Sequence, residues 1–142
     1  MEATEFIVVL EDDGRRIDEM RRVAAESLQA FDCIFFDNAN ELLSWLATHM
    51  SQTRLLSLDC DLDSTAAHSE SDVGSGSDVA DYLAGLPAFC PVLIHSSNAM
   101  RAPAMHMKLS FAGWPTVKLC PFTDAKSWLA DVLNALEQSQ TC

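Results

Sequence analysis

Three short segments of this chain hold the residues best suited to chemistry. Glu11-Asp12-Asp13 follows the apolar run Glu5–Leu10, and Asp59, Asp61 and Asp63 stand at alternate positions after Leu55–Leu58. His95-Ser96-Ser97-Asn98 follows a further run, Pro91–Ile94. Continuous apolar runs of this length read as strands buried on both faces, which is the habit of parallel sheets in α/β proteins. Such sheets bind ligands just past the carboxyl ends of their strands. Asp59 therefore stands where a functional carboxylate is expected. Carboxylates crowded together raise one another's pKa unless a cation neutralises them, so a bound metal is one reading. A solvated acidic loop is the other. His95 could pass a proton at neutral pH, or it could be a core residue bonded to backbone.

The positioning elements follow from the hydrophobic pattern. Glu5–Leu10 predicts a first strand and Asp13 an N-cap, with Ile17, Met20, Ala24, Leu28 and Phe31 on one helical face. Cys33–Phe36 predicts a second strand. Asn38-Ala39-Asn40-Glu41 has the form of a capping box before Leu42, Leu43, Leu46 and Met50. Arg54–Leu58 is the third strand, and a long loop rich in Ser, Asp and Gly runs from Cys60 to Gly76. A third helix spans Ser77 to Leu86, and Pro91–His95 forms the fourth strand. Pro103 suits the first turn of a fourth helix carrying Met105, Leu109 and Phe111. Thr116–Cys120 is the fifth strand. A last helix starts near Thr123, with Ala125, Trp128, Leu129, Val132, Leu133 and Leu136 in helical period. Strands alternating with helices, joined by right-handed crossovers, give a parallel sheet covered on both faces. The flavodoxin-like order 2-1-3-4-5 is the expected topology, and it brings Glu11, Asp12 and Asp59 to one edge.

Composition sets outer limits. A length of 142 residues predicts a single α/β domain over 1–142, and 49% hydrophobic residues are too many for a disordered chain. No run is long and apolar enough to span a membrane, so a cytoplasmic protein is expected. The five cysteines are widely spaced and form no C-x-x-C pair, which fits reduced thiols. A net charge of -12 disfavours an extended nucleic-acid duplex as partner. Between Arg54 and Arg101 there is no Lys or Arg, while seven acids occur: Asp59, Asp61, Asp63, Glu70, Asp72, Asp78 and Asp81.

With these landmarks in order, the chain resembles the receiver domain of response regulators. Val9-Leu10-Glu11-Asp12-Asp13 is similar to the acidic pair that ends that family's first strand. Leu56-Ser57-Leu58-Asp59 is similar to the strand ending in its phosphoacceptor aspartate. Ser96 falls where receivers carry the Ser or Thr that contacts the phosphoryl group, and Cys120-Pro121-Phe122 stands in place of Lys-Pro-Phe. Leu58-Asp59-Cys60-Asp61-Leu62 and His95-Ser96-Ser97-Asn98 more closely resemble a divergent branch, the cyclic-phosphate-processing receiver-like domains. That branch runs Leu-Asp-His-Asp-Leu and His-Ser-x-Asn; Cys60 stands where its His would be, and Gly113-Trp114 approximates its Gly-Tyr.

The resemblance implies Mg²⁺, or Mn²⁺, held by Glu11, Asp12 and Asp59 with a further oxygen from Asp61. Ser96, Asn98 and Arg101 are the expected phosphate contacts, and Asp59, His95 and Ser96 the expected catalytic set. Asn98 is equally suited to cap a helix. Asp59 is either a nucleophile or only a metal ligand, and the sequence does not separate the two. Cys120 removes the family's neutralising lysine, for which Lys118 or Arg101 could substitute. Three functions remain open: a metal-dependent activity on a cyclic or terminal nucleotide phosphate or another phosphate-bearing small molecule, a receiver phosphorylated on Asp59 by a phosphodonor protein, and a pseudo-receiver that only binds a partner.

Overall fold

The computed structural model describes residues 4–62 and 74–140. Among the described residues, five strands alternate with five α-helices: β1 (Phe6–Leu10), α1 (Gly14–Ser27), β2 (Asp32–Phe36), α2 (Ala39–Leu46), β3 (Thr53–Leu58), α3 (Gly76–Ala84), β4 (Val92–Ile94), α4 (Arg101–Phe111), β5 (Val117–Leu119) and α5 (Ala125–Gln140). All neighbouring strands are parallel, in the order β2-β1-β3-β4-β5. That is the flavodoxin-like arrangement expected from the alternation of elements.

Side chains on a strand point alternately to the two faces of the sheet, and the core divides accordingly. Val8, Leu10, Leu56, Leu58, Val92 and Ile94 pack on one face with Leu42, Leu46, Val79, Leu83, Met105 and Leu109 of α2, α3 and α4. Ile7, Val9, Leu55 and Leu93 pack on the other with Met20, Ala24, Trp128, Val132 and Leu136 of α1 and α5. Parity along each strand thus decides which helices a residue meets.

The expected caps form. Asp13 accepts from Arg15 N and Arg16 N at the start of α1, and Asn38 accepts from Glu41 N at the start of α2. Ser75 and Asp78 close a reciprocal capping box on α3. Asp124, one residue past the expected start, takes Ser127 N at 2.8 Å and opens α5.

Some expectations need correcting. Met50 lies outside α2, in a short 3-10 turn, Met50–Gln52, and Leu86 and Phe31 lie beyond the ends of α3 and α1. Phe111 is 83% exposed and does not join the Met105–Leu109 stripe. It is two positions past Leu109, and residues two apart on a helix point to nearly opposite sides. Leu133, about 100° round the helix from the buried Val132, is turned outward. Asp63, His68, Glu70 and Asp72 lie outside the described residues. No helix among the described residues is long and apolar enough to cross a membrane.

Candidate functional site

Register builds the site. Val9 pairs with Ser57, and Ser57 with Leu93, across the three central strands. Two residues further along each strand, on the same face, come Glu11, Asp59 and His95. The backbone ladder continues to this level: Asp59 N donates to Leu10 O at 3.0 Å, and His95 N donates to Leu58 O at 3.0 Å. All three side chains are buried, although each is ionisable. One ligand atom from each lies within 4.8 Å of the other two.

His95 is held at both ring nitrogens. Nε2 lies 3.0 Å from Glu11 Oε1, and Nδ1 lies 2.7 Å from Ser57 Oγ. Trp128 Nε1, from α5, donates to the same Ser57 Oγ at 3.0 Å. An ionised Glu11 only accepts, so Nε2 carries the hydrogen, and in the neutral ring Nδ1 takes the Ser57 hydroxyl proton. A four-residue chain therefore runs from α5 through the sheet to the acidic end of β1. His95 presents no nitrogen to solvent, so its proton reaches anything in the pocket by way of Glu11.

Glu11 and Asp59 share a location and differ in charge balance. Burial pushes the Glu11 carboxyl upward, but the His95 hydrogen bond and charge, the Asp13 N–H and Arg16 outweigh it, and its pKa is lowered overall. Glu11 Oε2 accepts from Asp12 N and Asp13 N, each at 3.1 Å. Arg16 reaches Glu11 Oε1 at 3.6 Å while stacking over the Phe122 ring at 4.9 Å. Asp59 has less support. Burial first, then the Glu11 charge, with a smaller push from Asp12, raise its pKa against the help of His95 and the Cys60 N–H. The level of Asp59 is thus short of positive charge, which is the condition that suits a cation.

The neighbouring loops hold the remaining expected residues. Asp61 is turned from the acidic group toward α4: its Oδ1 pairs with Arg101 at 2.9 Å and its Oδ2 accepts from Asn98 Nδ2 at 2.7 Å. Asn98 Oδ1 also accepts from Met100 N and Arg101 N, in the turn that leads into α4. Ser96, on the opposite sheet face from His95, accepts the Asn98 N–H at 3.0 Å. Asp12 lies half-buried at the rim, close enough to act on the Asp59 charge. Cys120 supplies no positive charge. Burial and then Asp131 push its thiol up to about 11, so it stays neutral. Lys118, on the edge strand β5, pairs with Leu93, two residues before the level of His95.

Several residues that make the site were not singled out in the sequence. Arg16 stands three residues after the Asp13 cap, where the first turn of α1 leans over the strand ends. Ser57, a hydroxyl inside an apolar run and two positions before Asp59, was the available signal for a same-face partner. Trp128 reads as core, since its stripe is indistinguishable from packing. Gly76 makes a contact of another kind: a Cβ there would lie 1.9 Å from Asp59 O, so α3 comes close only because this position has no side chain.

A five-stranded parallel sheet in this order, with acids at the ends of β1 and β3 and a hydroxyl after β4, defines a receiver-type domain. Residues 7–111 match the model of the cyclic-phosphate processing receiver domain, and the chain belongs to that family. No curated protein matches the sequence. Among solved structures, it is similar to a CheY-like response regulator receiver domain from Methanospirillum hungatei, with TM-score 0.66, 13% identity, and coverage of 97% of this chain and 98% of that one. It is also similar to the phosphorylated cyanobacterial phytochrome response regulator RcpA, with TM-score 0.65, 16% identity, and coverage of 96% and 93%. The beryllofluoride-activated NtrC receiver domain gives TM-score 0.63 at 20% identity, with 97% and 98% covered. At these identities the likeness concerns the fold.

Proposed function

We propose that this receiver domain handles phosphate groups through a divalent cation at the carboxyl ends of β1 and β3, acting on a cyclic or terminal nucleotide phosphate. The observation that carries the reading is the buried Glu11–Asp59 pair on one sheet face, with the Asp59 carboxyl raised by burial and then by the Glu11 charge. A hard divalent ion fits such a donor set: it needs few carboxylates, keeps its waters, and relieves the repulsion. Glu11, Asp12 and Asp59 would hold Mg²⁺ or Mn²⁺, with the backbone near Asp61 in reach. Bound there, the ion draws phosphate oxygens and spreads the charge developing on them.

The chain's own residues do the rest. Ser96 Oγ already accepts from Asn98, which leaves its hydrogen as donor to a phosphate oxygen. Arg101 and Asn98 hold the Asp61 carboxylate, an anion at the start of α4, and a phosphate there would share or displace that contact. Arg16 is the cation that approaches from α1. In hydrolysis of a cyclic phosphate, water adds to phosphorus and one ribose P–O bond breaks, leaving a monoester. The test is phosphate chemistry on an oligonucleotide ending in a 2′,3′-cyclic phosphate with Mg²⁺ present. Ring opening that disappears in Glu11→Gln supports the reading, and an unreactive substrate at every divalent ion tried sinks it.

A second reading is favoured by the position of Asp59 at the end of β3: its oxygen attacks a phosphodonor, whose P–O or P–N bond breaks. An added phosphoryl group in the intact mass after incubation with a small phosphodonor and Mg²⁺, absent in Asp59→Ala, would select it. The neutral Cys120 counts against it. Melting unchanged by millimolar Mg²⁺ would leave a domain that only binds a partner.

A further inference from the structure

We propose that His95 is itself a metal ligand, so that the pocket takes an imidazole-accepting transition-metal ion of the Mn²⁺, Co²⁺ and Zn²⁺ group in preference to Mg²⁺. This deepens, and rests on, the reading of the pocket as a divalent-cation site. The geometry of three side chains carries it. Adjacent ligands of an octahedral ion at about 2.1 Å stand about 3.0 Å apart, and opposite ones about 4.2 Å. His95 Nε2 and Glu11 Oε1 are 3.0 Å apart, the separation of two adjacent ligands. An Asp59 oxygen closes the set, with all three ligand atoms within 4.8 Å of one another.

The surroundings of His95 are those of a metal-bound imidazole. A ligating histidine ordinarily donates its other ring N–H to an oxygen that fixes its tautomer and orientation. Ser57 Oγ stands at 2.7 Å from Nδ1 and is itself pinned by the Trp128 indole at 3.0 Å. To bind an ion Nε2 must carry no proton: the ring keeps one on Nδ1, where Ser57 Oγ accepts it, and a charged ring gives its second proton to solvent. Nε2 then offers its lone pair to the ion beside Glu11. An oxygen-preferring ion gains little from that nitrogen, whereas borderline ions gain a strong ligand. His95 as ligand also accounts for a buried imidazole at the level of two buried carboxylates, a place where a hydrocarbon side chain would otherwise serve the core.

Pulsed EPR of the full chain loaded with Mn²⁺ alone tests this directly, together with competition between Zn²⁺ and Mg²⁺ followed by calorimetry. The expected result is a nitrogen coupling on the Mn²⁺ spectrum that persists in a variant lacking His49, His68 and His106, and vanishes in His95→Gln. Zn²⁺ should bind at least about a hundredfold more tightly than Mg²⁺, and His95→Gln should bring the two within about tenfold. Mn²⁺ bound at Glu11 and Asp59 without nitrogen coupling overturns the inference and leaves the cation site standing. Absence of any divalent binding overturns both. The spectrum of the variant that keeps His95 as its one histidine decides the matter even where His95→Gln folds poorly.

Discussion

Glu11 and Asp59 are neighbours with opposite consequences for stability. Asp59 has its pKa raised by burial and by Glu11, so ionising it costs more in the folded chain than in the unfolded one. That penalty appears as pH rises from the ordinary carboxylate range through the raised value. Asp59→Asn should therefore melt a few degrees higher than the wild type at neutral pH in chelator, with the gain shrinking toward about pH 4. Glu11 behaves in the reverse sense: its lowered pKa contributes stability above the carboxylate range that is lost as pH falls through the folded value. Glu11→Gln should lower the melting point at neutral pH and converge with the wild type in acid. Melting curves across that range check both, and identical pH profiles for the two variants would contradict the charge balance described. Ser57→Ala strands the Trp128 N–H and one His95 nitrogen inside the core, at a cost of about 1–3 kcal/mol in chemical denaturation.

Helices and loops hold the site at fixed distances. Gly76 N donates to Cys60 O at 2.9 Å, tying the start of α3 to the residue after Asp59. A Cβ at position 76 would collide with the Asp59 carbonyl, so Gly76→Ala must push α3 or the end of β3 aside. Overpacking of this kind costs about 1–3 kcal/mol, and here it should also weaken divalent-ion binding, because the displaced atoms carry Asp59. Measuring stability and ion affinity on one sample separates this from an ordinary packing defect. Asn98 links two loops, bonding the turn into α4 while holding Asp61. Asn98→Ala should cost about 1 kcal/mol through the lost hydrogen bonds, read from urea denaturation.

At the scale of the molecule, the charge of -12 is repelled from itself and relieved by any cation. General screening and specific binding are distinguishable: Mn²⁺ or Mg²⁺ at millimolar concentration should raise the melting temperature well beyond NaCl of equal ionic strength. Equal effects of the two salts would mean that no cation is held at the site. Both faces of the sheet are covered by helices, and the ionisable cluster lies at the carboxyl ends of its central strands. Belonging to the cyclic-phosphate processing receiver family does not fix the chemistry there, which depends on the few side chains at that edge.

Much of this was legible in the sequence because it depends on local rules. Apolar runs and helical stripes fix the order of elements, crossover handedness fixes the parallel sheet, and Asp13 and Asn38 announce their helix starts. Glu11, Asp59 and His95 could be marked because each follows a buried strand. What they do to one another was not legible, since it rests on register: Val9, Ser57 and Leu93 must lie side by side before the next residues on that face can meet. The same holds for Trp128 on Ser57, Arg16 over Phe122, and Asp61 turned toward Arg101 and away from the acidic group. Spacing along a chain sets which face a side chain takes, and only the packing of distant segments sets which other side chain it finds there.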